Sequence, residues 1–128
     1  MRLWCASFLT AIKPLLQVNK RHLDMLLAHM ELSDKPFMGS VTEPSRAQDS
    51  VEMCEILFGQ EFVQQNAVMT SLINVNSPMT FDDVMMGALE VYAKNNQACI
   101  VSPFIVGGAM APVSVAGILT QVLSLIHI

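Results

Sequence analysis

The residues of this chain best equipped to hold a small molecule are amides, hydroxyls and aromatic rings, and they fall in three short strings. Asn74 and Asn76 stand in "SLINVNSPM", Ser102, Phe104, Gly107, Gly108 and Met110 in "IVSPFIVGGAMAPV", and Ser40 follows Gly39 in "SDKPFMGSV". An Asn side chain both donates and accepts, and a Ser hydroxyl does the same in less space, so Asn74, Asn76, Ser102 and Ser40 can fix the orientation of a polar ligand. The same residue types also close turns and cap helices, and that ordinary role stays open for each of them. Phe37, Phe81, Phe104 and Tyr92 offer ring faces to a quaternary ammonium group. Of ten methionines, Met69, Met79 and Met110 lie near strand ends, where a pliant thioether either lines a greasy pocket or fills core.

Nothing forms a catalytic set. His22 and His29 are seven residues apart, lack the HExxH spacing of a zinc site, and read as surface or helix-packing histidines. Asp82 and Asp83 look like a metal pair, yet in the first turn of a helix their charge complements the dipole and caps free N–H groups. Cys5, Cys54 and Cys99 are an odd set with wide spacing and no CxxC, which fits reduced thiols rather than disulfides or zinc. No metal is expected, and no residue is assigned a catalytic role.

The elements around these strings alternate. "KRHLDMLLAHME" reads as a helix with Leu23, Leu26, Leu27 and Met30 at helical spacing. The apolar piece "DKPFMGSV" precedes a helix in "TEPSRAQDSVEMCEILFG", where Ala47, Val51, Cys54 and Phe58 share a side and Gly59 supplies the stop. After the connector "QEFVQQN", "AVMTSLIN" is strand-like and "TFDDVMMGALEVYAKNN" is a helix with Thr80 as N-cap and Phe81, Val84, Ala88 and Val91 inward. A third round runs through "ACIVS", the loop "PFIVGGAMA", and a helix opened by Pro112. The expected strand ends, Ser40, Asn74 and Ser102, are 34 and 28 residues apart. A βα unit of an eight-fold barrel takes roughly 31 residues. The fold class is therefore α/β, with consecutive parallel βα units; the pattern alone fits a barrel or an open sheet. An open nucleotide-binding sheet would call for GxGxxG or a P-loop lysine, and "GGAMAP" has neither. In either architecture the three strings lie beyond the carboxyl ends of strands, on one shared face.

Composition narrows the partners. Of 128 residues 52% are hydrophobic and 14% charged, with a net charge of -4, a balance that suits an element buried on several sides and disfavours nucleic acid. From Gln97 to Ile128 there is no Asp, Glu, Lys or Arg, a length that would cross a bilayer. Pro103, Gly107, Gly108 and Pro112 break that run into a strand, a loop and a helix, so no membrane partner is expected. The leading "MRLWCASFLTAIKP" imitates a signal peptide without a convincing cleavage site, and a cytoplasmic location follows.

Taken together, "SDKPFMGSV", "SLINVNSPM" and "IVSPFIVGGAMAPV" resemble the trimethylamine methyltransferase family of corrinoid-dependent enzymes, with the likeness running from about Lys13 to Val122. The resemblance implies part of a TIM (β/α)₈ barrel that moves a methyl group from trimethylamine, or from a quaternary amine such as glycine betaine, to the cobalt of a corrinoid (cobalamin) on a separate protein. It implies a cognate corrinoid protein as partner, a small methylated amine as substrate, and a homo-oligomer for the full-length parent. The family has a branch with pyrrolysine in the later part of the barrel and one without, and these strings do not reach that part. On this resemblance Asn74, Asn76, Ser102, Phe104 and Ser40 are expected at the substrate, and Gly107, Gly108 and Met110 at the corrinoid. The rival from another class is a small α/β ligand-binding or interaction module without catalytic activity.

The expected organisation is a leader or non-native start at 1–12, a partial barrel domain of about three βα units at 13–122, and a tail at 123–128. "LSLIHI" is what CTG TCT CTT ATA CAC ATC encodes, a string that matches a transposon end used in sequencing libraries, so the tail is expected to be adapter-encoded and the chain a fragment.

Overall fold

A computed structural model describes residues 19–76 and 80–126. The expectations for 1–12 and Met79 lie outside these residues. Along the chain run α1 (Arg21–Leu32), β1 (Phe37–Met38), α2 (Pro44–Phe58), α3 (Gln60–Gln65), β2 (Met69–Asn76), α4 (Asp83–Lys94), β3 (Ala98–Phe104) and α5 (Val115–Ile126). The strands form a parallel sheet in the order β1-β2-β3, each followed by a helix, as the alternation requires.

The pleat of β2 divides its side chains cleanly. Met69, Ser71, Ile73 and Val75 are buried, while Thr70, Leu72, Asn74 and Asn76 are partly exposed. Against the buried row pack Ala47, Val51 and Cys54 of α2 and Ala88 and Tyr92 of α4, all fully buried. Each buried Val, Ile or Met side chain contributes on the order of 1.5–3 kcal/mol. Residues paired across adjacent strands project to the same side of a sheet. Register therefore sets Thr70, Leu72, Asn74 and Asn76 beside Ala98, Ile100, Ser102 and Phe104 on the opposite, open face. Met38, the partner of Thr70, joins them and is 45% exposed, as Ile100 is 50% exposed.

Three details depart from the sequence reading. The connector at 60–65 is the helix α3, seated by Val63 alone, with Phe62 left outside. Thr80 is not the N-cap of α4: its N–H and C=O bond those of Asn76 at 2.9 Å each, and Asp82 caps instead, its carboxylate accepting from Met85 N at 2.8 Å. In the expected inward row of α4, Val84 is 40% exposed while Tyr92 is fully buried. Phe58 and Leu27 likewise face outward.

At the opposite end of the sheet a single side chain ties the layers together. Gln97 is buried, donates to the carbonyls of Val63 (2.8 Å), Asn95 (2.9 Å) and Asn66 (3.3 Å), and accepts from the amides of Val68 (3.0 Å) and Met69 (3.3 Å). Backbone groups that end α3 and start β2 thus find partners away from water.

Candidate functional site

The carboxyl ends of β2 and β3 meet in register. Asn74 pairs with Ser102 and Asn76 with Phe104, so four of the five residues expected at a ligand form a two-by-two block on the open face. The strands hold them because the alternate residues of β2 are anchored in the core, which leaves Asn74 and Asn76 no freedom to turn inward. Asn76 is fixed further by its two-way backbone pairing with Thr80. No residue of the open face in these strands is ionisable, so what it presents is amide and hydroxyl dipoles beside one ring.

The aromatic candidates separate sharply. Phe37 is 7% exposed and stacks on His29, with ring centroids 6.0 Å apart and planes at 3°. Phe81 packs against the core, and Tyr92 is fully enclosed. Phe104 alone among the four is exposed, at 53%, and it belongs to the block.

Ser40 stands apart from the other candidates. The β1 ladder ends where Gly39 N–H bonds the Thr70 carbonyl at 2.9 Å, four residues before Asn74. Its own groups are engaged locally: the amide donates to Ser50 Oγ (3.3 Å), the carbonyl accepts from Tyr92 Oη (2.6 Å), and the hydroxyl lies 3.3 Å from Thr42 Oγ1. Beside this loop a cleft of about 290 Å³ opens toward the first turn of α1, lined by Arg21, His22, Met38, Ser40, Thr42 and Arg46. The Arg46 guanidinium there contacts Glu43 (3.3 Å) and donates to Thr42 (3.3 Å). His22 reaches from α1 to Asp49 of α2 at 2.8 Å, and His29 lies on Phe37, where burial lowers its pKa; both are packing histidines, as expected.

In the third loop, Gly108 N–H bonds the Ala111 carbonyl at 3.0 Å, closing a tight turn. A Cβ on Gly107 would stand 2.6 Å from Ile118 Cδ1 of α5, so this glycine lies against the tip of a helix side chain. Met110, 40% exposed, and Val106 are apolar groups this loop presents outward.

Asp82 is occupied as a cap. Among the described residues no group of three His, Cys, Asp or Glu could hold a metal, and no helix is long and apolar enough to cross a membrane. Two contributors escaped the sequence reading. The sequence offers Tyr92 as a ring face and gives no sign of Ser50, although the spacing of Tyr92 from Ala88 places both on one side of a helix.

Comparison with known proteins adds to this geometry. The model of the family described as trimethylamine methyltransferase matches residues 10–125. The glycine betaine methyltransferase of Desulfitobacterium hafniense (strain Y51) is 44% identical over 101 residues, covering 78% of this chain and 21% of that protein. The chain thus spans about a fifth of the length of the relative it matches.

Proposed function

Since the chain belongs to the trimethylamine methyltransferase family, we propose that the protein it forms part of moves a methyl group from a tertiary or quaternary amine, trimethylamine or glycine betaine, to a corrinoid carried by a partner protein. The three βα units are then a sector of a TIM barrel, domain 13–122, whose interior is the open face of β1, β2 and β3. The observation that carries this reading is the register Asn74–Ser102 and Asn76–Phe104, which gathers dipoles and an exposed ring at the carboxyl ends of parallel strands. In such barrels that end holds the chemistry.

The substrate carries a positive charge that disappears when the methyl group leaves. A carboxylate in contact with it would stabilise the starting cation more than the transition state and so oppose transfer. The face described here holds the amine by weaker means: the quadrupole of Phe104 attracts the ammonium, while Asn74, Asn76 and Ser102 orient the molecule by donating to the carboxylate of glycine betaine or accepting the N–H of protonated trimethylamine. Fixing the amine in line with its acceptor is the main contribution left to the protein. The corrinoid, as methyl acceptor, supplies a low-valent cobalt nucleophile. Met110 and Val106 give the third loop an apolar rim against which a corrinoid protein can settle, with Gly107 and Gly108 shaping the turn. Ser40 borders the mouth from the β1 side. The protein is cytoplasmic and self-associates in its full-length form.

The test is methyl transfer by the full-length protein. With reduced corrinoid protein present, trimethylamine or glycine betaine should lose one methyl group as the corrinoid gains it. Absence of transfer from every methylamine and betaine tried would remove the enzyme reading and favour a binding module.

A further inference from the structure

The loop that follows β1 is gripped from two helices at once. Tyr92 reaches from α4 across 52 residues of sequence to place its hydroxyl 2.6 Å from the Ser40 carbonyl. From α2, Ser50 Oγ accepts the Ser40 amide at 3.3 Å while donating to the Arg46 carbonyl at 2.7 Å. Both side chains are fully buried, so neither tether has water as a substitute. The phenol passes so close over the chain that a Cβ on Gly39 would stand 2.3 Å from its oxygen and 2.9 Å from Cζ. Only glycine fits beneath it. A phenylalanine would fill nearly the same core volume, which leaves the hydroxyl one evident task, holding the Ser40 backbone. With both backbone groups of Ser40 held, its side chain is left to the cleft side, 3.3 Å from Thr42 Oγ1, which in turn accepts from Arg46.

We propose that Tyr92, with Ser50 as second tether, is a positioning residue that sets Ser40 and Thr42 at the mouth of the substrate site; this rests on the methyltransferase reading above. Tyr92 itself touches no substrate. The clamp predicts that loosening it changes how substrate is held before it changes the chemical step.

The experiment uses the full-length protein with Tyr92→Phe and Ser50→Ala. Amide hydrogen exchange at Ser40 should accelerate about tenfold in Ser50→Ala, which removes its acceptor, and should also accelerate in Tyr92→Phe as the loop loosens, while Ile73 to Val75 keep wild-type protection. The KM for the methylated amine should rise about fivefold with kcat within about twofold, and Ser50→Ala should move KM the same way. A residue that served stability alone would lower the melting temperature and leave KM in place. Unchanged exchange at Ser40 overturns the clamp, and faster exchange with unchanged KM in both variants overturns its role at the site. Should the wild-type protein transfer no methyl group, the functional reading fails separately, and the exchange rates still decide whether the clamp exists.

Discussion

Asn74 and Ser102 lie side by side on adjacent parallel strands, in register, on the face of the sheet turned away from the helix-packed core. Their neighbours Ile73 and Val101 form the next pair along the same two strands, with Ile73 sealed in the core and Val101 44% exposed at the edge strand. The polar pair is thus held by an apolar one.

Replacing Asn74 by Ala in the full-length protein should lower kcat/KM for the methylated amine about tenfold, the effect of one ligand hydrogen bond. Glu52 stands exposed on α2, and Glu52→Ala should stay within about twofold of wild type. Equal rates for Asn74→Ala and wild type would take Asn74 out of the site.

Gln97→Leu removes the donor shared by Val63, Asn66 and Asn95 and the acceptor of the Val68 and Met69 amides. Buried groups left unpaired should reduce stability by about 2–4 kcal/mol, read from the shift in urea midpoint. A loss under about 0.5 kcal/mol would mean that water replaces the amide.

Alkaline pH should destabilise the fold through Cys54 and Tyr92. Burial pushes the Cys54 thiol from 9.0 up to about 12, and burial pushes Tyr92 from 10.0 up to about 12 against the opposing pull of the Ser50 hydroxyl. Both stay protonated in the folded chain where the unfolded chain has ionised, so the unfolded state binds fewer protons and stability drops as pH climbs through that window. Urea midpoints compared at about pH 8 and about pH 11 should converge in Cys54→Ala relative to wild type. An equal alkaline loss in both proteins would show that the thiol plays no part.

The 128-residue chain by itself should self-associate, because β1 and β3 are sheet edges and Met38, Ile100 and Phe104 stand exposed between them. Sedimentation of the purified chain should show species heavier than 14.1 kDa. A soluble monomer with a cooperative melt would instead support an independent α/β module.

Parallel strands and helix order were legible in the sequence because buried strands are continuous apolar runs and the helices carry periodic ones. The sequence could not show which way Asn74 points. That follows from Ile73 and Val75 taking the core side, a fact of register. The cap of α4 is ambiguous in the sequence because Thr80, Asp82 and Asp83 are all competent caps, and only the fold shows that pairing with Asn76 claims Thr80. The burial of Tyr92 is hidden by its polar tip, because the carbonyl that satisfies it belongs to Ser40, far away in sequence. Helix α3 escaped because one buried residue, Val63, makes no periodic pattern. The separation of Phe104 from Phe37, Phe81 and Tyr92 needed burial, which composition does not carry.

Binding calorimetry on the full-length protein asks most directly whether this open face is where the amine sits. Phe104→Leu keeps apolar bulk and removes the ring face. Glycine betaine or trimethylamine should bind the wild-type protein and bind Phe104→Leu about tenfold more weakly, as expected for a cation held partly by an aromatic quadrupole. Equal affinity in the two proteins would place the amine elsewhere and contradict the assignment of the Asn74, Asn76, Ser102 and Phe104 block.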